Sequence, residues 1–202
     1  MGSDAGAEAG PAADAGGCVD ADAAAAHDAA PAPADAPEPN GLCAAPASYG
    51  DVGSITGDVL LGPSNDPSQQ LLMVAPLSSA ALPDRLDLEL WAGLGVFAGG
   101  IRTGTFVIDG AETNYATCGL CLFVITPADD SREAGFYLAT RGTVTLTAAS
   151  SGAISGSVAE VLLTHVTFKP GTPISVPVGD CDTAITTASF SAVPPAPSDG
   201  GL

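Results

Sequence analysis

The stretch Arg85-Leu-Asp-Leu-Glu-Leu-Trp91 alternates strictly between polar and apolar side chains. An alternation with a period of two places the three leucines on one side of an extended chain, and Asp87 and Glu89 on the other. Trp91 follows on the acidic side. A strand with this pattern is buried on its leucine side and reaches solvent on its acidic side. The stretch therefore predicts a half-buried β-strand.

The chain around this strand has the composition of strands and turns. Over residues 41–193, short runs of Thr, Val, Leu, Ile and aromatic residues are separated by Gly, Pro and Asn. No amphipathic helical segments lie between most of these runs. The pattern predicts an all-β fold, an antiparallel β-sandwich or jelly roll of about ten short strands. The predicted strands are residues 54–61, 71–75, 85–91, 103–108, 121–126, 135–140, 143–148, 153–158, 161–168 and 183–193.

Two neighbouring segments of this domain carry additional information. Residues 143–147 and 153–158 predict an antiparallel hairpin with a loop of about four or five residues. The apolar positions between 158 and 166 also have helical spacing, so a helix is the alternative there. We favour a strand over 161–168, because that run is rich in β-branched and aromatic residues.

Residues 1–40 consist almost wholly of Ala, Gly, Pro, Asp and Glu. This segment has eight acidic side chains, no Lys or Arg and no Phe, Tyr or Trp. Such a segment cannot bury enough apolar surface to offset the entropy lost on ordering. We therefore expect a disordered acidic spacer over 1–40, with a short helix over 21–30 as the alternative, and a disordered C-terminal tail over 194–202.

The charge balance excludes some classes of partner. Five Lys and Arg residues stand against 23 Asp and Glu residues, which gives a formal net charge of -18. A chain of this charge is repelled by phosphate backbones and by anionic lipid surfaces, so nucleic-acid binding is not expected. No run of about 18 apolar residues occurs, so no transmembrane segment is expected either.

Five cysteines give the sharpest signal in the sequence. Cys18 lies in the spacer, whereas Cys43, Cys118, Cys121 and Cys181 lie in the predicted domain. An even number of cysteines in an acidic, lysine-poor domain behind an unstructured leader is typical of exported proteins that use them as disulfides. We therefore expect the four cysteines of the domain to form two disulfides and Cys18 to stay unpaired.

The pairing of these cysteines depends on the local structure of the Cys-x-x-Cys motif. Residues three apart in a strand point to opposite faces and lie too far apart for a disulfide, so Cys118 and Cys121 are expected to pair separately with Cys43 and Cys181. A tight turn at Gly119 gives the alternative, with Cys118 bonded to Cys121. A catalytic dithiol and a four-cysteine zinc site are further alternatives. The β-type run after the motif disfavours the first, and the lack of a second close cysteine pair disfavours the second.

Few side chains have the pattern of a catalytic or metal site. Asp129, Asp130 and Glu133 cluster in a predicted loop and are candidate calcium ligands, although solvated turn acids explain them equally well. His165 is the one histidine of the predicted domain, and we expect it to be a partly buried structural residue. No Gly-x-Ser-x-Gly motif occurs. No catalytic residue, cofactor or further metal site is predicted.

Three stretches of the domain resemble segments of a known class of exported proteins. They are residues 104–121, the hairpin of 142–147 with 152–158, and the ending 185–191. With the Ala/Asp/Gly/Pro leader before them, they are similar to surface lipoproteins and secreted proteins of myxobacterium-like Gram-negative bacteria. The resemblance implies an exported β-sandwich with a lipid anchor upstream of the spacer. The implied location is the extracellular or outer-membrane surface, or the periplasm.

These observations predict an exported or cell-surface module that acts by binding or display of a protein or glycan partner, without catalysis. The alternative is an extracellular hydrolase of carbohydrate or peptide, whose acids the sequence does not place. A cleft with two convergent carboxylates, or an acid beside His165, favours the hydrolase. Flat faces and shallow loops favour the module.

Overall fold

A computed structural model describes residues 43–62, 65–128 and 134–196. The predicted spacer with Cys18, and most of the predicted C-terminal tail, lie outside the described residues. In chain order the described strands are β1 (Gly50–Leu61), β2 (Gln70–Pro76), β3 (Arg85–Trp91), β4 (Gly104–Ile108), β5 (Leu120–Thr126), β6 (Gly135–Ser150), β7 (Ala153–Phe168) and β8 (Ser175–Val193). Two short 3-10 helices, η1 (Gly95–Phe97) and η2 (Gly110–Thr113), flank β4.

All eight described strands belong to one hydrogen-bonded sheet, in the order β4-β6-β5-β3-β2-β1-β8-β7. Because β7 also pairs with β6, the sheet closes on itself through seven strands and leaves β4 as an edge strand on β6. The pairing of β1 with β8 is parallel, and the other pairings are antiparallel. The all-β class predicted from the sequence is confirmed.

The sandwich or jelly roll is not confirmed. Those architectures stack two sheets face to face, whereas the described strands form one continuous closed sheet. The expected antiparallel arrangement also needs correction, because the parallel β1–β8 pair makes the sheet mixed. Alternation in a sequence shows which side chains share a face, and it carries no information on which strands become neighbours.

Two pairs of predicted short strands are continuous in the structure. Segments 135–140 and 143–148 are both part of β6, and segments 153–158 and 161–168 are both part of β7. The residues between them form β-bulges, marked by register shifts on either side of Arg141 and by a left-handed φ of 51° at Glu160. Bulges bend a strand and increase its twist, as a closed sheet requires.

The β6–β7 hairpin is confirmed, with a shorter loop than expected. Ser150 lies opposite Ala153, so residues 151–152 alone form the loop. The helical alternative between residues 158 and 166 is wrong, since this segment is paired along both of its edges, with β6 and with β8. Ladder partners on both sides satisfy the backbone of β7 without a helix.

The main core lies inside the closed sheet. Leu86, Leu88 and Leu90 are fully buried in it, as the alternation along β3 predicts. Leu122 of β5 and Tyr137 of β6 are buried in the same core. The inward faces of neighbouring strands thus supply one continuous apolar interior, which is the dominant stabilising contribution in a fold of this kind.

A second, smaller apolar cluster lies on the opposite face of β5 and β6, which we call the outer face. Successive side chains of a strand alternate between faces, so Cys121 and Phe123 point away from Leu122 and the main core. The buried members of this outer cluster are Cys118, Cys121, Phe123, Leu138 and Val166. Partly buried side chains pack against them, namely Trp91, Tyr115, Ile125, Phe136 and Phe168. The candidate site described below lies at this outer cluster.

Candidate functional site

The turn between η2 and β5 holds one wall of the site in place. Glu112, in η2, is buried and accepts two backbone N–H bonds, from Val96 to Oε1 at 2.8 Å and from Leu120 to Oε2 at 2.6 Å. One carboxylate therefore ties this turn to η1 and to the first residue of β5. The backbone N–H of Tyr115 donates to Ser175 Oγ at 3.2 Å, which fixes the turn against the start of β8.

The cysteines form the disulfides Cys118–Cys121 and Cys43–Cys181, each with a Cα–Cα distance of 5.4 Å. The crossed pairing expected from strand geometry is wrong, and the pairing expected from a tight turn at Gly119 is the one present. Cys118 precedes β5, and a side chain on Gly119 would collide with the carbonyl group of Leu94. Cysteines in disulfides are not available as zinc ligands.

The Cys118–Cys121 disulfide is buried, which distinguishes it from the active cysteines of redox enzymes. Both residues are 0% exposed and belong to the outer cluster. A catalytic dithiol needs a thiol that its substrate can reach. The disulfide instead links β5 to the turn that contains Tyr115. Its role in the structure is to fix that turn.

Four aromatic side chains of the outer cluster surround a cavity of about 310 Å³. Tyr115 meets Phe123 with ring centroids 5.3 Å apart and Phe168 at 5.4 Å, and Phe168 meets Phe136 at 5.6 Å. Planes of neighbouring rings differ by 62° to 72°, so the rings form walls with different orientations. The remaining lining residues are Glu89, Ile125, Thr172 and Pro173. We call this cavity the aromatic pocket.

Glu89 is the charged residue of the aromatic pocket. Its Oε2 atom accepts a hydrogen bond from Trp91 Nε1 at 2.9 Å and another from the Tyr115 hydroxyl at 3.0 Å. Burial, together with the adjacent Glu89 carboxylate, raises the pKa of Tyr115 above its ordinary value. Tyr115 therefore remains a protonated donor, and Glu89 is held in one position by two uncharged groups.

A second carboxylate, Asp87, lies two residues earlier on the same face of β3. Asp87 is only 7% exposed, and burial raises its pKa to about 6. Attraction to Arg85 opposes this rise in pKa, and repulsion from Glu89 adds a smaller increase. Arg85 Nη2 lies 3.6 Å from Asp87 Oδ2. Asp87 Oδ1 is buried without a hydrogen-bond partner in the described part of the chain.

A larger cavity of about 460 Å³ adjoins the aromatic pocket and shares Ile125 and Phe136 with it. Its other lining residues are Leu82, Pro83, Arg85, Thr126, Pro127 and Ala134. The outer face of β3, β5 and β6 thus carries a groove, with Glu89 at one end and Arg85 at the other. The sheet provides a rigid floor for this groove, because β3, β5 and β6 are each paired on both sides.

His165, also singled out from the sequence, does not line this groove. His165 is half-buried and stacks on Tyr137, with ring centroids 5.0 Å apart and planes 25° apart. The candidate calcium ligands Asp129, Asp130 and Glu133 lie outside the described residues. Within the described ranges, no three His, Cys, Asp or Glu side chains gather as a metal site.

The aromatic pocket was not predicted from the sequence, although a signal for it exists. Residues 120–125 of β5 are a continuous apolar run, and such a run indicates a strand that is buried on both faces. Aromatic residues at the outward positions of β5 and β6, Phe123 and Phe136, point to the same conclusion. Tyr115 comes from the turn before β5 and Phe168 from the end of β7, and local patterns do not bring them together.

No helix in the described part of the chain has the length and apolar character needed to cross a membrane. Comparisons of the chain with known protein families, with curated proteins and with solved structures found no match.

Proposed function

We propose that this chain is an exported, non-catalytic binding module and that the aromatic pocket is its ligand site. The observation that carries the proposal is the pocket itself, a concave and mostly aromatic surface on a rigid sheet, with one fixed carboxylate. Binding sites typically combine an apolar lining with a few oriented polar groups in this way. The proposal needs only a rigid β-frame, which a closed sheet supplies as well as a sandwich does.

The location outside the cytoplasm is supported by the two disulfides. Disulfides persist in oxidising compartments and are rare in the reducing cytoplasm. Cys43–Cys181 joins residues separated by 138 positions, so it links the beginning of the described domain to β8. We place the module at the extracellular or outer-membrane surface or in the periplasm, where a protein or glycan partner meets the groove.

We favour the binding module over an extracellular hydrolase because Asp87 and Glu89, the two acids of β3, do not converge on one cavity. Glu89 lines the aromatic pocket, whereas Asp87 is buried and lines neither the pocket nor the cavity beside it. His165 forms no ion pair within the described residues, where the ion pair present is that of Arg85 with Asp87. Hydrolysis by acid pairs needs two carboxyl groups that flank the scissile bond.

The test uses Trp91, the single tryptophan of the chain, as a reporter. Its indole N–H is bonded to Glu89, so an occupant of the pocket is expected to change its fluorescence. We would titrate the oxidised protein with panels of glycans and peptides. We would compare Phe168→Ala, which opens the pocket, with Val107→Ala on β4, whose side chain is 56% exposed and does not line the pocket.

Saturable binding that Phe168→Ala weakens and Val107→Ala preserves would support the module. Binding unaffected by Phe168→Ala would place the ligand site elsewhere and overturn the proposal for the pocket. Mass spectrometry of the same mixtures detects cleavage, and turnover of a glycan or peptide would establish the hydrolase instead.

A further inference from the structure

We propose that the aromatic pocket binds an organic cation, with a methylated or quaternary ammonium group as the ligand class. The inference rests on the function proposed above and names the ligand chemistry of the same pocket. Aromatic ring faces carry negative charge density and attract cations that lie within about 6 Å of the ring centroid. Tyr115, Phe123, Phe136 and Phe168 line the pocket, and the planes of neighbouring rings differ by 62° to 72°, so their faces are turned in different directions.

The charge of the pocket selects a cation over an anion or a neutral apolar group. Glu89 receives hydrogen bonds from Trp91 and Tyr115, which are uncharged donors, and the ion pair found among the described residues uses Arg85 and Asp87 instead. The negative charge of Glu89 is therefore not neutralised within the described lining. An apolar ligand would desolvate this carboxylate without replacing its water, whereas a cation compensates it.

Hydrogen-bonding capacity argues against a sugar ring as the occupant. Sugar recognition needs several free donors and acceptors, because an unpaired buried hydroxyl is costly. In the aromatic pocket, the Tyr115 hydroxyl already donates to Glu89, and Glu89 Oε2 already accepts two bonds. Thr172 is the other lining side chain with a hydroxyl. A methylated ammonium group has no such requirement, since it makes ionic and ring contacts only.

Size and long-range charge agree with this class of ligand. A cavity of about 310 Å³ is near the lower limit of ordinary ligand pockets, which suits a small head group or the end of a modified side chain. The formal net charge of -18 attracts cations towards the protein. Lys169, the single lysine of the chain, is exposed beyond the end of β7 and does not line the pocket.

The test compares choline with 3,3-dimethylbutan-1-ol, its neutral carbon isostere, on the oxidised full chain. Calorimetry measures the affinity, and Trp91 fluorescence gives a second readout. We expect choline to bind saturably and at least about tenfold more tightly than the isostere. Glu89→Gln is expected to lower choline affinity by about tenfold and to remove the preference over the isostere, whereas Val107→Ala leaves both affinities unchanged.

Two further outcomes separate this inference from the proposed function. Equal or tighter binding of the neutral isostere would overturn the cation as ligand and leave the aromatic pocket as a binding site. Absence of choline binding, with a glycan or peptide binding in the panels above, would also overturn the cation as ligand and leave the binding module intact.

A second variant, Phe168→Leu, keeps an apolar side chain in the fold and removes one ring. Reduced choline affinity is expected in this variant even if Glu89→Gln proves unstable.

Discussion

Glu112 offers the sharpest test of how the site is held. Its buried carboxylate accepts the backbone N–H of Val96 on one oxygen and that of Leu120 on the other. Glu112→Ala removes both acceptors and leaves two N–H groups without partners, that of Leu120 in a buried position and that of Val96 in a partly buried one. Glu112→Gln keeps one carbonyl oxygen but presents an NH₂ group to the second N–H donor, so it satisfies only one of them.

The expected losses of stability follow from the number of bonds removed. A hydrogen bond to a charged group contributes about 1.5 to 3 kcal/mol, and each buried N–H left unpaired costs about 1 to 3 kcal/mol. Glu112→Ala is therefore expected to lower the free energy of unfolding by about 3 to 6 kcal/mol, and Glu112→Gln by about half as much. Domains of this size are stable by about 5 to 15 kcal/mol, so the alanine variant loses a large part of its margin.

Urea unfolding followed by circular dichroism measures these differences on the oxidised protein. Glu160→Gln is the matched control, because Glu160 is exposed and the substitution makes the same chemical change. The expected order of stability is parent and control first, then Glu112→Gln, then Glu112→Ala. Glu112 variants as stable as the parent would refute the role assigned to this carboxylate.

Three further variants test other parts of the structure. Burial raises the pKa of Asp87 to about 6, above its ordinary value in an unfolded chain. Ionisation of Asp87 therefore lowers the free energy of unfolding as the pH rises from about 4 through 6. Asp87→Asn is therefore expected to flatten the pH dependence of urea unfolding and to gain up to about 3 kcal/mol at pH 7 relative to the parent. Replacing both Cys43 and Cys181 by Ser is expected to cost about 4 to 5 kcal/mol in the same measurement, because the disulfide closes a loop with a sequence separation of 138. Gly156→Ala would press a methyl group against the Thr145 carbonyl of the neighbouring strand, and a loss of about 1 to 3 kcal/mol in thermal unfolding is expected.

Each of these predictions has an outcome that contradicts it. An unchanged slope of stability between pH 4 and 7 in Asp87→Asn would mean that this carboxyl does not titrate in the native protein as its burial requires. A loss below about 1 kcal/mol without the long-range disulfide would contradict the loop-closure account. For the glycine, Gly152→Ala in the β6–β7 loop is the control, since its nearest contact would be Ser150 Oγ at 3.8 Å. Equal effects of the two alanines would contradict the predicted collision.

The sequence predicts strands and faces well, because both depend on local patterns. The segment Arg85–Trp91 is a strand with the bounds and the buried leucines expected from its alternation. Sheet closure was not predicted, since it depends on two bulged strands and on the pairing of β1 with β8. Near Arg141 and Glu160, residues that resemble turns in the sequence are bulges within long strands. Turns and bulges have similar local composition, so the sequence does not distinguish them.

The candidate site was less predictable than the fold. The cysteine pairing depended on whether Gly119 is part of a strand or of a tight turn, and the Cys-x-x-Cys spacing is compatible with both. Glu89 was correctly placed on the outward face of β3, but its hydrogen bond to Tyr115 joins two residues far apart in the chain. This contact arises because β3 pairs with β5, which brings the turn before β5 beside Glu89.

Because β1 pairs with β8, the sheet of this domain closes only after β8 has been made. A nascent chain that has not reached Ser175–Val193 exposes one edge of β1 and one edge of β7, and neither has a partner until the final strand is made. Contacts between residues so distant in the chain form slowly, and unpaired edges invite association with other chains. The edges of β1 and β7 are therefore expected to stay unpaired until β8 has been made.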